Sequence, residues 1–252
     1  YIFTAGYHDG KASVVRINPD GSVGEMTAEV FHKGMGSIAE RNYRPHITCA
    51  RITPDGKFLT ASDVGLDQVK LYGFDAKTGA IKLVDILRCE LESSPRSMIF
   101  SPDGRFAYLI CQLKNCVNVY TYNSDDGMPH FEMIQQISTL GKSYNDKSAV
   151  AAIKQSVDGK YIFCSNAGDN SIAFFVRDEK TGMLTKNCVL PISGDYPKNM
   201  CIFPDNKHIA SLNHESNEIT FFTIDYENGL LIQHGKPMQV ETPNCAVIKK
   251  LS

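Results

Sequence analysis

A chain of 252 residues, 42% hydrophobic and 10% aromatic, can bury a sizeable core. Its formal net charge of −2 argues against nucleic-acid partners, because phosphate backbones select basic faces. The sequence has no apolar stretch long enough for a membrane helix and no basic start followed by an apolar centre, so no membrane partner is expected.

The first elements fall within residues 1–44. YIFTAG is followed by ASVVRINPDGSVG and a loop, with Tyr1 already inside an apolar run. This reads as a repeat unit without its first strand, and the N-terminal part of the domain is expected to be missing.

From residue 45 a fuller pattern recurs. Turns at Pro54-Asp55-Gly56, Pro102-Asp103-Gly104, Val157-Asp158-Gly159 and Pro204-Asp205-Asn206 each follow one short apolar strand and precede another. Their aspartates are 48, 55 and 47 residues apart. Such a turn has a mechanism: Pro presets φ, Asp bonds back to the backbone, and Gly takes φ > 0. A third strand follows in each unit (QVKLYGFD, CVNVYTYN, SIAFFVRD, EITFFTID), then a Gly-containing turn and a more polar fourth strand. The segment from Thr242 to Val247 begins a further unit and provides one strand.

Four antiparallel strands in units of near-constant length predict an all-β fold, a β-propeller of four-stranded blades. Five blades are expected within a single domain spanning 1–252, with boundaries near 44, 94, 148, 196 and 242 and almost no helix. A β-sandwich is the alternative, but it would not require the same turn at the same phase four times.

The eight cysteines contain no CxxC pair, and several sit in strand-like segments. They are expected to be reduced core thiols, which points to a cytoplasmic protein.

The repeat allows positions to be compared within the chain. Aligning the entries to the innermost strands groups His46, Arg96, Val150, Lys198 and Asn244. The ends of the second strands group Gly6, Asp63, Cys111, Asn166 and Asn213, followed by Tyr7, Val64, Gln112, Ala167 and His214. Polar residues would then converge at one mouth of the channel. Arg and Lys suit phosphate or carboxylate, and amides suit hydroxyls. Asp63 and the asparagines have a second reading, as residues that satisfy turn backbone. Asp63 and Asp67 flank Gly65, but hard cations need more oxygen ligands at close spacing, so no metal is expected. His8, His32, His130, His208 and His234 are read as solvated.

Pro45-His46, Ser62-Asp63-Val64-Gly65-Leu66-Asp67-Gln68-Val69, Pro95-Arg96, Ser101-Pro102-Asp103-Gly104-Arg105-Phe106-Ala107-Tyr108, Ser165 to Ile172 and Asn213-His214-Glu215-Ser216-Asn217 occur in this order. In that order the chain resembles the bacterial lactonase family, seven-bladed propellers that include 6-phosphogluconolactonase and are related to carboxymuconate cyclases. The resemblance covers nearly the whole chain and implies two further N-terminal blades.

It implies hydrolysis of a sugar-acid lactone, phosphorylated for the 6-phosphogluconolactone type, without a cofactor. His46, Asp63 and Arg96 would be catalytic: His46 as general base, Asp63 orienting it or sharing the work, and Arg96 on the oxyanion or phosphate, joined there by Lys198. Gln112, Asn166, Asn213 and His214 would contact substrate hydroxyls. Ser97, Gln112, Ala152 and Ala167 depart from the family pattern, where ionisable residues are usual, and Lys198 replaces an Arg. A catalytically inactive binding or scaffold propeller is the alternative, and a lactonising cyclase a third reading. Self-association through open propeller edges is also expected, at Ile2, Phe3, Val14 and Val15 and at a terminal strand Cys245–Leu251.

Overall fold

The computed structural model describes residues 1–36, 44–142, 144 and 146–249. Among them there is no helix, and twenty strands follow in chain order. β1 (Ile2–Gly6), β2 (Lys11–Ile17) and β3 (Val23–Phe31) form a three-stranded antiparallel sheet. The second sheet comprises β4 (Ile47–Ile52), β5 (Phe58–Asp63), β6 (Gln68–Phe74) and β7 (Ile81–Arg88), in that order. The third contains β8 (Pro95–Phe100), β9 (Phe106–Cys111), β10 (Cys116–Asn123) and β11 (His130–Ser138). The fourth contains β12 (Ala149–Gln155), β13 (Tyr161–Ala167), β14 (Ser171–Arg177) and β15 (Leu184–Pro191). In the fifth, β16 (Pro197–Ile202), β17 (His208–Asn213), β18 (Glu218–Asp225) and β19 (Leu230–Gln233) are joined by β20 (Met238–Gln239), which pairs with β18 beyond the end of β19.

The sheets begin at the expected boundaries, and the first lacks an innermost strand, as expected. The terminal strand is a correction. Residues 243–249 carry no strand assignment, because their described attachments are side-chain bonds rather than a backbone ladder: Asn199 Nδ2 donates to Asn244 O and Cys201 Sγ to Ala246 O. Leu251, the last residue of that expected strand, lies outside the described residues.

Two compact units are distinguishable. One is Tyr1–Lys114 with Tyr120–Met133, and the other is Asn115–Val119 with Ile134–Ser252. In the first, Ala12, Val14, Ile47, Leu59, Ala61 and Tyr72 form a buried cluster, with Phe3 and Phe74 packed against it. Phe3 and Val14 therefore face the second sheet, which corrects their expected place on an open edge. Ile2 remains 37% exposed. In the second unit, Phe163 stacks on Phe174 at 5.0 Å within a cluster that includes Ile172, Met200, Ile209 and Phe222. β5 and β9 are buried at every position, so packing on both faces removes the period-2 pattern. The outer strands β3 and β11 keep exposed positions. All eight cysteines are free thiols.

The recurrent turn is built from side chains. Thr53, Ser101 and Ser156 donate to Asp55, Asp103 and Asp158 at 2.5–2.6 Å and accept the N–H of Phe58, Phe106 and Tyr161 at 3.0–3.1 Å. Each aspartate also accepts the N–H two residues on, as at Lys57, Arg105 and Lys160. The fourth turn puts Asn206 at φ 57° where the others have glycine, a left-handed conformation that Asn tolerates.

These carboxyls are held below their usual range. Burial raises that of Asp55, but bonds from Ser124, Thr53, the Lys57 N–H and Tyr122 outweigh it. At Asp205 the Lys207 N–H and the His208 ring outweigh burial. A depressed folded-state pKa gives stability that is complete above the unfolded value near ~3.9 and lost as pH falls through the folded value. The urea midpoint should therefore be flat from about pH 7 to 5 and decline below about pH 4, less steeply in Asp55→Asn. A midpoint unchanged down to about pH 3 would show that these carboxylates contribute nothing net.

Candidate functional site

Asp63 ends β5 and is fully buried. Its Oδ1 accepts the N–H groups of His46 at 2.8 Å, Gly65 at 3.0 Å and Leu66 at 3.1 Å, which fixes the turn into β6 and the entry to β4. Its Oδ2 lies 2.6 Å from His32 Nδ1, and both side chains have no exposure. His32 is thus a buried partner of Asp63 and not solvated, a correction that depends on a contact 31 positions away in sequence. Burial, together with the Asp63 charge, pushes the Tyr72 hydroxyl up to about 12. Asp67 does for the next sheet what Asp63 does here, accepting the N–H groups of Glu92 and Ser94.

His46 is 5% exposed. Its Nδ1 is 2.8 Å from the carbonyl oxygen of Tyr7. A carbonyl can only accept, so Nδ1 carries a proton, and in the neutral ring Nε2 then presents a lone pair. Arg44 Nε–H approaches that nitrogen at 3.4 Å, at the long limit for a hydrogen bond. The Tyr7 ring, 43% exposed, stacks on the imidazole at 4.3 Å and 18°. Arg44 and His32 thus join the residues expected from sequence, and Tyr7, which the repeat alignment placed beside them, packs on His46.

Arg96 on β8 and Gln112, just past the end of β9, are joined by Nη1 donating to Oε1 at 2.8 Å. Thr48 on β4 donates to the Arg96 carbonyl at 2.6 Å, so the entry ends of β4 and β8 lie side by side. The strand register corrects the alignment of entry residues. Ile47, Pro95, Val150 and Pro197 pair with Asp63, Cys111, Asn166 and Asn213, and each sheet bulges just after. The bulge residues are Thr48, Arg96, Ala151 and Lys198, so Arg96 and Lys198 are equivalent to each other but His46 is not. His46 stands two residues earlier, at the position of Ser94 and Tyr196, whose carbonyls likewise accept from the residue ending the second-strand motif.

In the second unit, Lys198 is half-buried and His214 stands in the register place of Gln112. The His214 ring lies 6.2 Å from that of Tyr196. Asn166 and Asn213 are fully buried. Their amide N–H groups are committed to Thr139 O and Ser171 Oγ, and to Ser193 O and Thr220 Oγ1. The turn-satisfying reading describes both asparagines, and direct contact with substrate hydroxyls does not fit their burial.

The profile of a family described as "Lactonase, 7-bladed beta-propeller" matches residues 1–248. A relative from Bacillus subtilis (strain 168) named 6-phosphogluconolactonase is 30% identical over 245 residues, covering 97% of this chain and 69% of the relative. Among solved structures, a periplasmic gluconolactonase of Pseudomonas aeruginosa matches with TM-score 0.89 at 25% identity, over 97% of this chain and 69% of that one. A protein from Lactobacillus plantarum matches with TM-score 0.87 at 29% identity, over 95% and 68%. The all-β propeller expected from the repeat agrees with the antiparallel sheets and with these neighbours.

Proposed function

Because the chain belongs to the lactonase family of seven-bladed β-propellers, we propose that it hydrolyses a sugar-acid lactone, phosphorylated in the 6-phosphogluconolactone manner, with His46 as general base. The observation that carries this reading is the tautomer of His46, whose Nδ1–H is committed to the Tyr7 carbonyl while Nε2 keeps its lone pair.

In the first step Nε2 takes a proton from a water molecule as the water oxygen bonds to the lactone carbonyl carbon, and the carbonyl electrons move onto oxygen. The Arg96 guanidinium, oriented by Gln112, stabilises that oxyanion or the substrate phosphate. Collapse of the tetrahedral species breaks the ring C–O bond, and the ring oxygen leaves as a hydroxyl with the proton from Nε2. Asp63 contributes through the backbone of His46 and not through its ring.

A panel of phosphorylated and plain sugar lactones, with spontaneous opening subtracted, tests the reading. Saturable turnover of a phosphorylated member is expected, and Arg96→Ala should raise its KM by roughly 10- to 100-fold, the equivalent of one charge-assisted hydrogen bond. No turnover of any member, with retained affinity for the corresponding sugar acid, would establish the second reading, a propeller that binds without catalysis. That reading is favoured by Ala152 and Ala167, buried alanines where the lactonases that this chain resembles carry ionisable side chains.

A further inference from the structure

We propose that His32 is a positioning residue for His46, acting through the buried carboxylate of Asp63; this rests on the reading of His46 as the base. The geometry is a chain of short contacts. His32 Nδ1 holds Asp63 Oδ2 at 2.6 Å, and Asp63 Oδ1 holds the His46 N–H at 2.8 Å. The His32 N–H is itself anchored on Gly10 O at 2.8 Å. Gly10 and Tyr7, whose carbonyl fixes the His46 tautomer, lie in the same short connection between β1 and β2.

The repeat supplies an internal control. The residue that donates its N–H to the β-turn carbonyl at this phase is His32 in the first sheet, then Cys89, Thr139, Ile192 and Val240. The residue in the place of Asp63 is Gly6, Cys111, Asn166 or Asn213. Apart from the thiols of Cys89 and Cys111, each position carries an ionisable side chain in one instance, and those two instances, His32 and Asp63, touch each other. Elsewhere the same junction closes with a neutral bond, as where Asn166 Nδ2 donates to Thr139 O at 2.9 Å. Folding of the blade junction therefore does not require an imidazole–carboxylate pair. Packed neutral residues often serve a buried junction as well as charged groups do, and removing one partner of a buried polar contact is costly. The pair stands beside the backbone that carries His46, where a charge-strengthened acceptor holds three N–H groups on one oxygen. His32 Nε2 is also buried and has no hydrogen-bond partner among the described residues, so the ring's one described polar side-chain contact is with Asp63.

The test compares His32→Thr, the residue found at this phase in the third sheet, with His32→Asn, which keeps an N–H near the Nδ1 position. For the threonine variant kcat on the phosphorylated lactone should fall roughly 10- to 100-fold, as for a misplaced catalytic group, with KM within about threefold. The asparagine variant should recover most of kcat. In 15N spectra of histidine-labelled protein, His46 should be the Nδ1–H tautomer in the wild type and the asparagine variant, and a mixture in the threonine variant. Should the threonine variant not fold, His32→Gln, which shifts the donor by one bond, takes its place with the same expectations. Wild-type kcat and an unchanged His46 tautomer in the threonine variant would overturn the proposal. Wild-type turnover by His46→Ala would instead sink the reading of His46 as base, and the 15N comparison would still decide whether His32 positions it.

Discussion

Replacing His46 by alanine should lower kcat for lactone opening by about 10²- to 10⁴-fold, the range that one general base supplies. The size follows from how the imidazole is held. Its Nδ1–H is spent on Tyr7 O, its face is covered by the Tyr7 ring, and its backbone N–H is fixed by Asp63, so the lone pair on Nε2 is pre-oriented. His46→Asn, which can still donate to the Tyr7 carbonyl but offers no comparable base, should be nearly as slow. Initial rates corrected for spontaneous opening measure both variants. An alanine variant within about fivefold of wild type would remove His46 from the chemistry.

Gly65→Ala should damage stability and activity together. A Cβ built at Gly65 would lie 1.7 Å from Arg44 O and 3.2 Å from His46 Cδ2. The first of these obstacles is backbone, which cannot rotate aside, so the entry segment 44–46 or the turn from Asp63 must move. Either displacement breaks bonds to Asp63 Oδ1. Overpacking of this kind costs about 1–3 kcal/mol, and because the displaced segment carries His46, kcat should fall by about 100-fold as well. Gly168 occupies the same repeat position and meets Lys147 O at 2.5 Å, with φ +105°. Gly168→Ala should lower the denaturation midpoint to a similar degree without moving the His46 15N signals. If Gly65→Ala lowers stability but leaves those signals and kcat unchanged, the turn does not position the base.

The sheets were legible because the inner hairpins are encoded locally, three of them in a hydroxyl residue, an aspartate and a glycine within a few positions and the fourth in Asp205 and Asn206. The entry residues were harder. Matching the dipeptides Pro45-His46 and Pro95-Arg96 slips the register, whereas Ile47, Pro95, Val150 and Pro197 all stand eight residues before their turn aspartates. Counting back from the turn keeps Arg96 and Lys198 equivalent and sets His46 apart. The role of His32 and the contact of the Tyr7 carbonyl with His46 were not legible in the same way, since the partners lie 31 and 39 residues away. Whether a histidine is solvated or buried there depends on which sheet packs beside it. The segment after Thr242 has the composition of a strand, but strand formation needs a backbone partner along its length, and composition does not specify one.

The hydroxyl–aspartate turn also bears on how the chain reaches this structure. The N–H of Phe58, Phe106 or Tyr161 closes onto a hydroxyl only five residues earlier. Closure over so short a span has little chain entropy to overcome, and hairpins of this kind form in about 1–10 μs. The inner hairpins can therefore appear independently and early, as separate nuclei. The joints between sheets, such as that from His32 to Asp63, connect distant parts of the chain and form later, because contacts of large sequence separation govern the slow part of folding. The groups that orient His46 are thus among the last to be ordered, and its ring is fixed against the Tyr7 carbonyl only when neighbouring blades have docked.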